Sequence, residues 1–207
     1  MTRVTATVAL LTLVAWASPA LSASSIVLPK PGQVGLSVGG GYGTYLDNGN
    51  IGSIFGPGPA FTLRVRYRMR SERGIGLSFE SQSLDAREEA PPFVVGDEST
   101  VAPTKLSNIL SGLEFYQMFG TRTKATRMLI LGAGLAQMRA ETNTGDPELV
   151  GENAGDGLFV SAGAGVERFF YRSWAWDLST RYYAVFRDGE ANHNVQVALG
   201  LIFYASY

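Results

Sequence analysis

Beyond Pro29 and Pro31 the chain alternates between apolar and polar residues. In Phe61-Thr62-Leu63-Arg64-Val65-Arg66-Tyr67-Arg68-Met69-Arg70 every odd position is apolar and every even one polar. Successive side chains of a strand point to opposite faces, so Phe61, Leu63, Val65, Tyr67 and Met69 share one face, whereas a helix would scatter the arginines around its circumference. The last segment repeats the pattern. Val195, Val197, Leu199, Leu201, Phe203, Ala205 and Tyr207 face one way, and Gln196, Ala198, Gly200, Ile202, Tyr204 and Ser206 the other. The same period predicts strands at about 33–43, 60–70, 75–83, 105–119, 127–141, 157–169, 174–186 and 195–207. Most are longer than the usual five or six residues of a globular strand, and long enough for the nine to eleven that a tilted strand needs to cross a bilayer.

The connections alternate too. Thr44 to Pro59, Leu84 to Thr104 and Thr142 to Asp156 are long; Ser71 to Gly74, Gly120 to Thr126 and Phe170 to Ser173 are short. The last connection on the long side, Arg187 to Asn194, is the smallest of its set. Short turns at one end and longer loops at the other are the arrangement of outer-membrane barrels, with the turns periplasmic. The expected fold is therefore all-β: an eight-stranded antiparallel up-and-down transmembrane β-barrel, preceded by a cleaved signal peptide.

Alternation alone does not say which face is inside, since a soluble barrel would turn its apolar set inward. Three features favour the membrane arrangement. The polar face is rich in glycine (Gly35, Gly39, Gly41, Gly112, Gly132, Gly134, Gly163, Gly165 and Gly200), which suits a narrow lumen that must hold large side chains elsewhere. By parity Arg64, Arg66, Arg68, Arg70 and Arg181 point inward together with Glu80, Glu114, Glu167 and Asp177, so both signs are present for pairing in a poorly solvated interior. A turn at Glu72 to Gly74 would pair Arg70 with Gly76 and set Glu80 opposite Arg66. Aromatics gather near the strand ends: Phe115, Phe119, Phe169, Phe170, Trp174, Trp176 and Tyr207 at the short-turn end, and Tyr42, Tyr45, Phe61, Phe79, Tyr182 and Phe186 at the other, as two interfacial girdles would.

Residues 1–23 read as a signal peptide, with Arg3, the apolar stretch Val8 to Ala17 and the small-residue end Pro19-Ala20-Leu21-Ser22-Ala23. Residues 24–207 are then one barrel domain. Composition narrows the functions. A formal charge of −1 argues against nucleic-acid binding, and the absence of cysteine removes disulfides, thiolate nucleophiles and thiolate metal sites.

Gly163-Ala164-Gly165-Val166-Glu167 leading through a tight turn into Trp174-Ala175-Trp176-Asp177-Leu178, with the alternating final strand ending in Tyr207, resembles the small eight-stranded outer-membrane barrels. These include the membrane domain of outer membrane protein A, the outer membrane protein X type and the opacity-type proteins. The resemblance implies that Leu201, Phe203 and Tyr207 form a C-terminal signal read by the barrel-assembly machinery. Tyrosine departs mildly from the phenylalanine usual at that end. Lipid A deacylases of similar architecture need a His-x-Ser, but the single histidine, His193, is followed by Asn194 and Val195. It is expected in the last outer loop, and alone it makes a poor metal site. Gly39-Gly40-Gly41-Tyr42-Gly43 lacks the Lys-Ser/Thr of a phosphate cradle. The outer loops are acidic (Asp85, Glu88, Glu89, Asp97, Glu98; Asp146, Glu148, Glu152, Asp156), as a solvated rim or as anchors for divalent cations against lipid phosphates.

The expectation is a monomeric, non-enzymatic barrel without cofactor or bound metal, serving envelope integrity or surface interaction. Its partners would be outer-membrane lipids and lipopolysaccharide, the assembly machinery and a surface ligand at the long loops. The alternative is a narrow pore through the inward charges; a lipid-modifying enzyme is the third reading.

Overall fold

The computed structural model describes residues 26–46, 51–70, 72–88, 93–95, 99–101, 103–142, 155–187 and 190–205. The expected signal peptide and Tyr207 lie outside them. In chain order the elements are β1 (Val34–Tyr45), α1 (Ile51–Ile54), β2 (Gly58–Arg68), β3 (Arg73–Asp85), β4 (Phe93–Val95), β5 (Ser99–Val101), β6 (Pro103–Phe119), β7 (Ala125–Thr142), β8 (Gly155–Tyr171), β9 (Trp174–Arg187) and β10 (Glu190–Tyr204). Apart from the small β4–β5 hairpin, each strand pairs antiparallel with its neighbour, and β1 closes against β10 to complete an eight-stranded barrel. Closure leaves no sheet edge unpaired, the condition for a sheet to sit in hydrocarbon. Among the described residues no helix is long and apolar enough to cross a membrane.

Burial inverts the usual order of residue types. Leu113 is 66% exposed, Leu158 61% and Leu131 58%, while Arg66 is 0% exposed and Arg181 1%. So the apolar face of the alternation points outward and the charged face inward. An apolar surface this continuous belongs in lipid, because a soluble monomer rarely exposes more than a few hundred Å² of contiguous apolar patch.

The inward glycines make room for specific large neighbours. A Cβ on Gly112 or Gly134 would lie 2.8 or 2.9 Å from the Phe159 ring, and one on Gly35 would lie 2.7 Å from the ring of Tyr204. The Gly112–Gly134 pair across β6 and β7 is thus the floor on which Phe159 rests. Gly112→Ala should cost about 1–3 kcal/mol through overpacking, read as a lower urea midpoint for unfolding.

Apolar layers close the lumen at both ends. At the long-loop end Tyr45, Leu84, Leu106, Met138, Phe159 and Val185 pack together, and Ile51 of α1 with Phe55 just beyond it caps them. At the short-turn end Phe169, Ala175, Ile202 and Tyr204 cluster, and Ile26 and Leu28 of the segment preceding β1 pack against them. A backbone bond from Val27 N–H to the Arg172 carbonyl, 3.0 Å, holds that segment across the mouth.

Four details differ from the sequence expectations. The β2–β3 turn is centred two residues earlier in the chain, with Met69 N–H donating to the Arg73 carbonyl at 2.8 Å and Glu72 at a positive φ of 58°. Arg66 therefore pairs with Gly76, and Glu80 stands opposite Thr62 rather than Arg66. The shift is an even number of residues, so every side chain keeps its face. Arg70 lies beyond the end of β2, exposed on the turn and outside the lumen. Tyr45 and Phe169 are 3% exposed and face inward, not into the girdles, because each shares parity with the lumen residues of its strand. Finally, β9 and β10 pair as far out as Arg187 and Glu190, so His193 belongs to β10 and not to a loop.

Candidate functional site

The lumen between the apolar layers holds four arginines and four carboxylates, supplied by five strands. Arg64, Arg66 and Arg68 come from β2, Glu80 from β3, Glu114 from β6, Glu167 from β8, and Asp177 and Arg181 from β9. All eight are 4% exposed or less. Alternation puts Arg64, Arg66 and Arg68 on one inward column, where their like charges would repel unless carboxylates reached across from other strands.

Those carboxylates divide into two groups. Toward the short turns, Glu167 accepts from Arg66, from Arg68 at 2.6 Å and from the Tyr204 hydroxyl at 2.6 Å. Arg66 also reaches Asp177 at 3.2 Å. The guanidinium of Arg66 lies 4.2 Å from the centre of the Tyr116 ring, and that of Arg68 4.7 Å from the Tyr204 ring, so cation–π contacts add to the ion pairs. Toward the loops, Arg64 donates to Glu80 at 2.5 Å, and Tyr183 donates to the other oxygen of the same carboxylate at 2.5 Å. Glu114 receives the Tyr116 hydroxyl and lies 3.1 Å from Arg181 Nε. Ser37 on β1 donates to Asp177 at 3.4 Å, and Arg181 to Ser179 at 2.9 Å. Above the charges, Asn194 bonds Gln82 and Asn108 bonds the Tyr45 hydroxyl, both at 2.9 Å.

The eight charges sum to zero within a region shielded from water, the condition under which buried ions are tolerated. Removing one partner would leave another charge uncompensated. The tyrosines Tyr116, Tyr183 and Tyr204 and the serines Ser37 and Ser179 were not singled out from the sequence. Their parity marked them: Tyr116 shares the face of Glu114, and Tyr183 that of Arg181.

Of the C-terminal residues, Leu201 is half-buried and Phe203 faces outward, its neighbour across the strand pair, Trp174, lying 5.0 Å away between ring centres. His193 stacks on Tyr182 with ring centres 5.7 Å apart, and Nδ1 bonds the tyrosine hydroxyl. Among the described residues no group of three or more His, Asp or Glu side chains is placed to hold a metal. Asp85, Glu88 and Asp156 are the described members of the acidic outer loops; the other carboxylates named there lie outside the described residues.

Solved structures of low sequence identity share this architecture. The attachment invasion locus protein Ail of Yersinia pestis superposes with a TM-score of 0.55 at 14% identity, covering 85% of this chain and 100% of that one. Ail has also been solved in complex with the heparin analogue sucrose octasulfate. Neisserial surface protein A gives 0.52 at 11% identity over 83% of this chain and 95% of its own. OprG of Pseudomonas aeruginosa gives 0.51 at 12%, over 88% and 100%. No curated protein shows a significant sequence match. Residues 6–203 match the family described as the outer membrane protein beta-barrel domain. With its closed eight-stranded barrel, apolar exterior and charged interior, the chain belongs to that family of Gram-negative outer-membrane proteins.

Proposed function

We propose that this protein is a sealed structural barrel of the outer membrane, monomeric and without catalytic activity, whose long loops carry contacts at the cell surface. Residues 1–23 direct export and are removed, and Leu201, Phe203 and Tyr207 present the final strand to the assembly machinery. The observation that supports the reading is the occluded lumen. A neutral network crosses it at mid-height, and apolar layers capped by Ile51 and Phe55 at one end and by Ile26 and Leu28 at the other stand between that network and water. An ion entering would have to displace apolar side chains and then break buried ion pairs. Aqueous channels belong to barrels of about sixteen strands.

A narrow pore is the second reading. It draws on the buried polar atoms that have no hydrogen-bond partner within the protein, including Asp177 Oδ1, Arg66 Nε and Arg68 Nε. Planar-bilayer recording separates the two. The sealed barrel gives no conductance steps, and Arg66→Ala and Glu80→Ala leave that unchanged; discrete steps that change with either substitution would establish the pore. A lipid-modifying activity is tested by incubation with lipid A and phospholipids, which the proposal expects to remain intact.

The heparin analogue bound by Ail is a polyanion. Over the full sequence the long connections carry carboxylates in excess (Asp85, Glu88, Glu89, Asp97, Glu98, Asp146, Glu148, Glu152 and Asp156), while among the described residues Arg87, Lys105, Arg139 and Arg187 offset Asp85, Glu88, Glu141 and Asp156. A surface ligand would therefore be cationic, or bridged by divalent cations, with lipopolysaccharide phosphates as the neighbouring anions.

A further inference from the structure

The short-turn rim of the barrel is basic, and it adjoins a concavity on the lipid-facing wall. Lys30, Arg70, Arg73, Arg122, Lys124 and Arg172 are exposed around the short-turn mouth, where Glu72 is the carboxylate among the described residues. One step into the apolar belt, Arg127 on β7 and Arg168 on β8 also point outward. In the β7–β8 register Arg127 stands opposite Val166 and Arg168 opposite Ala125, which makes the two arginines diagonal neighbours on one face. Such neighbours lie about 7–8 Å apart at Cα, close enough for long side chains to share one anion. Neither has a carboxylate partner among the described residues.

Arg127 also forms the turn-side end of a groove of about 530 Å³ in the lipid-facing surface. Its floor is the small pair Ala164 and Thr180, opposite each other across β8 and β9. Phe119, Leu129, Val166, Leu178 and Val197 stand around it as walls. Phe119 lies beside Arg127 across β6–β7, and Trp176 beside Arg168 across β8–β9, which sets an aromatic at headgroup depth next to each cation.

We propose that this groove, with Arg127 and Arg168, is a binding site for one anionic glycerophospholipid of the periplasmic leaflet. The phosphate bridges the two guanidinium groups, and an acyl chain lies over Ala164 and Thr180. The leaflet follows from polarity: the short turns are periplasmic, so the cations meet phospholipid headgroups and not lipopolysaccharide. A second copy of the chain docked by two-fold symmetry on this face would bring the same basic cluster close to its own copy, so charge favours the lipid. The inference is independent of whether the lumen conducts.

The test is native mass spectrometry of the full mature barrel, refolded into vesicles of phosphatidylethanolamine and phosphatidylglycerol in equal amounts and then released. One retained phosphatidylglycerol per barrel is expected. Ala164→Phe, an apolar-for-apolar change on the lipid face, fills the floor and should abolish retention while heat-modifiable migration stays normal. Arg127→Gln with Arg168→Gln should keep a retained lipid but erase the preference for phosphatidylglycerol. Retention unchanged in both variants, no lipid on the wild-type barrel, or a dimer of the chain in place of lipid would each overturn the site; so would preferential retention of lipopolysaccharide when it is added in competition.

Discussion

Leu131→Arg is expected to prevent insertion, leaving the protein in its unfolded, heat-insensitive form on gels of vesicle-refolded material. Leu131 lies in the apolar stretch Leu129–Leu135 of β7, 58% exposed to the lipid side, between Phe115 of β6 and Ala162 of β8. A cation there has no carboxylate within reach and costs about 2–4 kcal/mol near the bilayer midplane. The matched control is Ser161→Ala on the inward face, whose hydroxyl is buried without a hydrogen-bond partner. Removing an unsatisfied hydroxyl while keeping its Cβ should leave folding intact. From the sequence alone Gly132→Ser is the natural inward control, since Gly132 adjoins Leu131. The structure makes it a poorer control: a Cβ on Gly132 would stand 2.5 Å from Ser161 Oγ and 3.2 Å from the Leu113 carbonyl, so the Ser161 hydroxyl must rotate away. Gly132→Ser should destabilise the barrel, and Ser161→Ala in the same chain should recover most of the loss. Equal insertion of Leu131→Arg and Ser161→Ala would contradict the orientation of the two faces.

Glu167→Ala is expected to cause the largest loss of stability of any single change in the lumen. Glu167 is fully buried and accepts from Arg66 and Arg68 of β2 and from Tyr204 of β10. Its removal leaves Arg68 with no carboxylate and Arg66 with Asp177 alone. Breaking a buried pair in this way costs about 3–5 kcal/mol, read as a fall in the urea midpoint of the refolded barrel. Arg70→Ala, on the exposed turn, should move that midpoint by no more than about 0.5 kcal/mol. If Glu167→Ala and Arg70→Ala behaved alike, the network would contribute nothing to the barrel. Replacing Glu167 by Gln keeps an acceptor for the Tyr204 hydroxyl but not the charge, and should fall between the two.

Much of this arrangement was legible because strand period carries side-chain direction without ambiguity. Arg64, Arg66, Arg68 and Glu80 could be assigned to one face from their parity alone, and a register error of four residues in the β2–β3 hairpin left that assignment intact. The partners within the face were not legible. Glu80 was expected against Arg66 but bonds Arg64, and Arg66 finds Glu167 and Asp177, about a hundred residues away in the chain. Pairing inside a closed barrel depends on strands that are distant in sequence and face each other only after closure. His193 was misplaced for a related reason: Glu190 to Asn194 is polar enough to read as loop, yet it continues the ladder against β9.

The sequence by itself determined the strands, the parity of their faces, the alternation of long and short connections, and hence a barrel with apolar outside and charge within. These follow from local geometry, since each residue's face is fixed by its neighbours. Only the tertiary structure decided which charges pair, that α1 and the segment before β1 close the two mouths, and that Ala164 and Thr180 form the floor of a groove beneath taller neighbours. These are properties of surfaces assembled from several strands. No local pattern encodes the distance between them.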